Sequence, residues 1–401
     1  MKRLISMTAL AIGLAAGAAQ AQQVNVKIGV MSDMSSLYAD IGGPGSVAAA
    51  KMAIADYTKD HPNVKVEMIS GDHQNKPDVG TSLANQWFDV DKVDMIIDIP
   101  NSGVALAVSQ VASVKNKLFI ATGPGTSDLT GPKCNANTIH WSYDTWMLAN
   151  GTGKAMVKTG GDTWFFLTAD YAFGKTLKAD TEAVIIKNGG KVLGEVRHPL
   201  NTNDFSSFLL QAQASKAKVI GLANAGGDTV NSIKQAAEFG IVKGGQKLAG
   251  LLVFASDVAA LGLPTAQGLN LTETWYWDAN DANRAWTKRW QQERVGKWPT
   301  MIHAGVYAGI MHYLKAREAL GGAPDGKTIT EKMKSMPTDD ILFGKGTIRP
   351  DGRKIHDAFL FEVKKPEESK HPGDFYKTIA TIPAAEAFRP LADGGCPLIK
   401  S

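Results

Sequence analysis

Two stretches of this 401-residue chain are spaced as phosphate-binding loops would be, and neither completes the pattern. Ala169-Asp-Tyr-Ala-Phe-Gly-Lys-Thr176 ends in the Gly-Lys-Thr of a phosphate cradle. That loop needs glycine at its first position so the backbone can curl round an anion, and here Ala169 stands there with Tyr171 and Phe173 inside the turn. Gly123-Pro-Gly-Thr-Ser-Asp128 begins like a dinucleotide fingerprint, but Asp128 replaces its third glycine and Pro124 stiffens the turn. His-Glu-x-x-His, a nucleophile elbow and paired Cys or His ligands are missing from the sequence, and the eight histidines are dispersed. The expectation is therefore no catalytic residue, no metal, no cofactor and no enzyme.

What remains is a set of residues suited to holding a small anion or zwitterion. Ser102 follows Pro100-Asn101 at an expected helix start, where a hydroxyl and neighbouring free amides can hold a carboxylate. A plain N-cap is the other reading of the same serine. Gly123, Gly125 and Thr126 form a small-residue loop that lets a ligand approach the backbone. Tyr171 offers an aromatic face, and Asp228 is either an acid facing the ligand or a helix cap.

The elements that position them follow from the alternation of apolar runs. Strands are expected at 24–31, 64–70, 93–99 and 118–122, with helices at 45–59, 79–89 and 104–115 between them. The rhythm restarts after Tyr143: helix 151–159, strand 163–168, helix 174–188, strand 191–197, helix 205–215, strand 219–223, helix 229–239 and strand 247–254. This is the signature of two doubly wound parallel sheets in succession. Another strand-like run lies at 270–278, and helices rich in Trp, Ala and Met continue to Met336 and are expected to return to the first lobe. A β-rich ending at 346–349 and 358–363 is expected to cross to the second. In such sheets ligands bind beyond the carboxyl ends of the strands, where each candidate residue falls.

The chain opens with Lys2-Arg3, an apolar run from Leu4 to Ala16 and the small-residue stretch Ala18-Ala19-Gln20-Ala21, which predicts a signal peptide over 1–21 and a periplasmic destination. Its removal lowers the formal charge from +4 to +2, with scattered basic residues and so no nucleic-acid footprint. No later run reaches membrane-spanning length. The two cysteines, Cys134 and Cys396, are far apart; a disulfide between them suits an oxidising compartment, and two separate buried thiols are the alternative.

Taken in order, Ile28-Gly29 with Ile41-Gly-Gly-Pro-Gly45, Gln74-Asn-Lys-Pro-Asp-Val-Gly80, the Ser102 loop, Thr126-Ser-Asp-Leu-Thr130, Ala169-Asp-Tyr-Ala-Phe-Gly174, Asn203-Asp-Phe205 and Gln235-Ala-Ala-Glu-Phe-Gly240 resemble the landmarks of periplasmic binding proteins of the leucine/isoleucine/valine type. The resemblance spans nearly the whole chain after residue 21. It implies a type I periplasmic binding fold, two α/β lobes joined by three crossover segments, with a cleft that closes on ligand. Boundaries are expected at 22–142 with 273–349 for the first lobe and 143–272 with 350–401 for the second, hinged near 141–143, 272–274 and 348–350. It further implies Ser102 for the ligand carboxylate, Tyr171 for an aromatic contact and Asp228 for an α-amino group. Gly125 departs from the hydroxyl residue that amino-acid binders commonly carry there. The implied function is the substrate-binding component of an ABC importer, a monomer that serves a membrane permease with its ATPases. A hydrophobic amino acid is the first expectation for the ligand, with an aromatic carboxylate or an amide next. A type I fold also serves repressors, which would begin with a basic helix-turn-helix, and extracellular sensors, which genomic neighbours would distinguish.

Overall fold

The strand-forming runs are rich in Val, Ile and Leu, as strands buried on both faces of a parallel sheet must be. The computed structural model describes residues 23–399, so the expected signal peptide lies outside the described residues. The first sheet is parallel, in the order β2 (Val64–Asp72), β1 (Val24–Ser32), β3 (Met95–Asp98), β4 (Leu118–Ala121) and β5 (Thr138–His140). Helices α1 (Gly43–Asp60), α2 (Pro77–Asp89) and α3 (Ser102–Val114) cover it. A second parallel sheet runs β7 (Lys191–His198), β6 (Thr163–Ala169), β8 (Val219–Ala223) and β9 (Lys247–Gly250). The chain enters it through α4 (Thr145–Leu148), which continues through a π turn at Ala149–Gly153 into α5 (Lys154–Lys158). Its crossovers are α6 (Ala172–Lys187), α7 (Ser206–Ala214) and α8 (Gly227–Glu238), and α9 (Ala255–Leu261) and α10 (Leu263–Ala266) follow β9.

The rest of the chain completes both units. A third sheet, antiparallel, sets β14 (Ala358–Val363) between β10 (Asn270–Glu273) and β15 (Tyr376–Ile382) and lies beside the second sheet. Helices α11 (Asp281–Trp290) and α12 (Met301–Leu320) pack on α1, and α13 (Gly326–Ser335) packs on α12, so these late helices join the first unit. A small sheet of β11 (Thr338–Asp340), β12 (Gly344–Ile348) and β13 (Lys354–Ile355) follows. The run 346–349 therefore pairs locally, while 358–363 does cross to the second unit. The run 247–254 is only half strand: β9 stops at Gly250, and Leu251–Phe254 enter the core as a connection to α9.

The crossover segments are bonded to one another. Arg353, fully buried, donates to the carbonyls of Trp141 and Tyr143, both at 2.8 Å, and Thr274 Oγ1 donates to Ser142 O at 3.0 Å. Cys134 and Cys396 are disulfide-bonded with their Cα atoms 5.5 Å apart, across a sequence separation of 262.

Candidate ligand cleft

Loops after β1, β3, β4, β6 and β8 meet at the gap between the units. After β3, Asp98 and Ile99 both take positive φ, 91° and 63°, which turns the chain sharply into Pro100. Asp98 is buried and receives hydroxyls from Ser32 (2.8 Å) and Thr122 (3.2 Å). Burial pushes its carboxyl up to about 6, against the pull of those donors. The helix that follows is capped by Asn101, whose side chain accepts from the amides of Gly103 (2.9 Å) and Val104 (3.1 Å). Ser102 therefore does not cap α3. Its hydroxyl accepts the amide of Thr126 at 3.2 Å and keeps its own proton to donate.

The loop 123–126 is fixed by its carbonyls. Gly123 O accepts from Tyr143 OH (2.7 Å), Pro124 O is bonded to His140 Nε2 (2.7 Å), and Gly125 O accepts from Thr145 N (2.7 Å). Thr126 Oγ1 lies 3.1 Å from Thr176 Oγ1 of α6, so the loop of the first unit rests on a helix of the second. The remainder of the Gly-Lys-Thr stretch is structural: Lys175 pairs with Asp170 at 3.0 Å, and Thr176 donates to Ala172 O at 2.7 Å.

Tyr171 meets Tyr38 across the gap, hydroxyl to hydroxyl at 2.5 Å, and Gly227 N–H reaches Leu37 O at 3.3 Å. Tyr38 is aimed by Asp33, which accepts the amides of Ser36 (3.0 Å) and Tyr38 (2.8 Å) and the side-chain amide of Asn75 (2.6 Å). Burial works to raise the Asp33 carboxyl, but those donors outweigh it and hold it below its usual value. Burial raises the phenols of both tyrosines, so both are neutral hydroxyls at ordinary pH.

Asp228 lies inside the first turn of α8, because Gly226 at φ 57° lets the helix begin ahead of the expected residue 229. It does not cap that helix. Its oxygens accept the amides of Asn201 (3.2 Å) and Thr202 (2.9 Å) in the loop after β7, and burial pushes its carboxyl up to about 7. The crevice between these groups is too tight to admit a water molecule in this structure and is lined by Tyr38, Ile41, Pro100, Tyr143, Tyr171, Phe173, Ala225 and Leu252. Of these only Tyr171 is among the ligand residues expected from the sequence. Tyr38 and Phe173 carry a signal of the same kind, an aromatic shortly after a strand's carboxyl end. Leu252 carries none, since it reads as part of a strand.

Elsewhere, Asp278, His371 and Asp374 bring ligand atoms within 4.8 Å of one another. Arg284 already pairs with Asp278 at 3.0 Å and Lys364 with Asp374, so the charge a cation would meet is already balanced.

A family model described as periplasmic binding protein matches residues 25–370. The chain belongs to the periplasmic binding protein family. A periplasmic binding protein from Burkholderia mallei is 51% identical and superposes with a TM-score of 0.90, covering 94% of this chain and 100% of that one. A branched chain amino acid ABC transporter periplasmic ligand-binding protein from Burkholderia xenovorans is 38% identical, with a TM-score of 0.81 over 93% of this chain and 99% of the other. A Rhodopseudomonas palustris solute-binding protein of an ABC transporter, solved with 4-hydroxybenzoate, shares the fold at 23% identity, with a TM-score of 0.81 over 90% and 97% of the two chains. As a periplasmic binding protein this chain has the type I fold, two α/β lobes joined by three crossovers, and its family binds small molecules for ABC permeases.

Proposed function

We propose that this periplasmic binding protein is the carrier of an ABC importer for a small carboxylate with an aromatic or apolar body, taken up in the cleft between Ser102 and Tyr171 and released unchanged to the permease. The carrying observation is the cavity wall. Its eight residues are apolar or aromatic, and Asp228, the acid that an ammonium group would need, already spends its oxygens on two backbone amides. Ser102, with a proton to donate at the start of α3, is the group placed to receive the carboxylate, helped by the helix's positive end. In this reading Gly123, Gly125 and Thr126 form the floor, and the aromatic rings bind the body of the ligand through buried area and edge contacts.

A hydrophobic amino acid is the second reading, favoured by the 38% identity to a protein described as a branched-chain amino acid carrier. Calorimetry with leucine, phenylalanine, benzoate and 4-hydroxycinnamate, on protein unfolded and refolded to strip any co-purified molecule, decides between them. Tight binding of leucine with none of the two amine-free acids would overturn the first reading. Mass spectrometry of the molecule that co-purifies would name the physiological ligand.

A further inference from the structure

Gly125 is a glycine for reasons of space and not of conformation, since its φ is not among the positive values. A Cβ built there would lie 2.6 Å from Phe173 Cε2, 3.0 Å from Phe173 Cδ2 and 3.0 Å from Tyr143 Cε2. The loop cannot shift to relieve this, because the carbonyls of Gly123, Pro124 and Gly125 are each held by a buried partner. Phe173 itself is 2% exposed and stands in the first turn of α6, in the opposite lobe, with its ring 6.2 Å from that of Tyr171. It also lines the central cavity. One side chain of the second lobe thus fills the hollow left by a missing side chain in the first, and the same ring forms part of the wall of the ligand chamber.

We propose that Phe173, seated over Gly125, is the specificity-determining residue of this carrier: it sets the width of the closed chamber at a single ring and makes that wall aromatic. This rests on the cleft being the ligand site as proposed above. Two consequences separate it from a plain core role. Shortening Phe173 enlarges the chamber where the ligand lies, so it changes the order of ligands and not only their affinity. The two positions are also coupled, because the closest group a side chain at 125 would meet is Phe173, with Tyr143 next.

The test is a double-mutant cycle read by calorimetry with benzoate and 2-naphthoate, with folding checked by circular dichroism and Phe173→Leu run beside Phe173→Ala in case the latter folds poorly. Phe173→Ala is expected to raise the naphthoate-to-benzoate affinity ratio by about ten-fold, the scale at which pocket size discriminates. Gly125→Ala is expected to weaken benzoate by about ten-fold in the wild type and by less than about two-fold beside Phe173→Ala, as residues sharing one space must behave. A ratio unchanged in both Phe173 variants, or a Gly125→Ala loss of the same size in both backgrounds, overturns the assignment. If the wild type binds neither acid but takes leucine and phenylalanine, the ligand class proposed above is wrong, and the phenylalanine-to-leucine ratio in the same variants decides Phe173 separately.

Discussion

Ser102 has one proton to give, and its oxygen is already taken by the Thr126 amide, so the proton is left for a ligand that enters the cleft. Removing the hydroxyl costs a bond to a charged ligand, about 1.5–3 kcal/mol, and leaves that buried amide without a partner. Ser102→Ala should therefore weaken ligand binding by roughly 10- to 100-fold, and an unchanged dissociation constant by calorimetry would remove Ser102 from the site. Asp228 makes a prediction of a different kind. Burial penalises the charge and pushes its carboxyl up to about 7 in the folded protein, above the ordinary 3.8 of an unfolded chain. Between those values the folded protein holds a proton that the unfolded chain has released. The contribution is thus present below about pH 4 and is lost as the pH rises through 7. Asp98 and Asp257 titrate in the same direction, so the wild-type profile alone is a sum. The difference isolates the residue: Asp228→Asn should gain thermal stability relative to wild type between pH 5 and pH 8, and parallel melting profiles would remove the pH-dependent role. For an amine-free carboxylate, the same variant should bind as well as wild type or better at pH 8, since an ionised Asp228 near the ligand would repel it.

At the scale of elements, the parts legible in the sequence were those whose signal is local. Strands such as β1, β6 and β8 read directly from their β-branched runs, because a parallel strand covered on both faces must be apolar throughout. Three-residue β5 gives no such signal, and the apolar stretch through Leu252 and Phe254 imitates a strand because it is buried as a connection, with Leu252 in the cleft wall and Phe254 edge-on to Tyr143. The candidate site divides the same way. Ser102, Thr126, Tyr171 and Asp228 could be found because they directly follow strands. That Tyr38 would meet Tyr171, or Phe173 fill the hollow over Gly125, depends on how two distant lobes approach, which no local pattern encodes. The tyrosine pair joins the loop after β1 to the loop before α6 and so belongs to closure. Tyr38→Phe keeps the ring in the wall and removes the hydroxyl bridge, worth about 0.5–1.5 kcal/mol net. Ligand affinity should fall about two- to ten-fold, mainly through faster release, as read by stopped-flow fluorescence. An unchanged release rate would show that the bridge does not help hold the cleft shut.

For the whole molecule, the contrast between hinge and seam decides how it moves. The crossovers are tied by the buried guanidinium of Arg353 and by Thr274, and the tail adds further ties. Arg389 reaches Asp180 of α6 at 2.5 Å and Ser127 of the first lobe at 3.1 Å, and the chain then runs to the disulfide at Cys134. Across the cleft, by contrast, the polar contacts described above are the tyrosine pair, the Gly227 amide to Leu37 and the hydroxyl pair of Thr126 and Thr176. Opening therefore breaks little and leaves the hinge intact, the arrangement in which ligand shifts a population from open to closed. We place the hinge at 141–143, 272–274 and 348–350, and expect small-angle scattering to report a smaller radius of gyration at saturating ligand than in the stripped protein. Identical dimensions would count against hinged closure. The disulfide, closing so long a loop, contributes a few kcal/mol if unfolded-chain entropy dominates. Cys134→Ser with Cys396→Ser should accordingly lower the melting temperature by several degrees. Because the strap spans the hinge side and not the seam, the double variant should still close on ligand, with the scattering change intact. If the variant loses that change while remaining folded, the tail is a working part of the hinge and not only a staple.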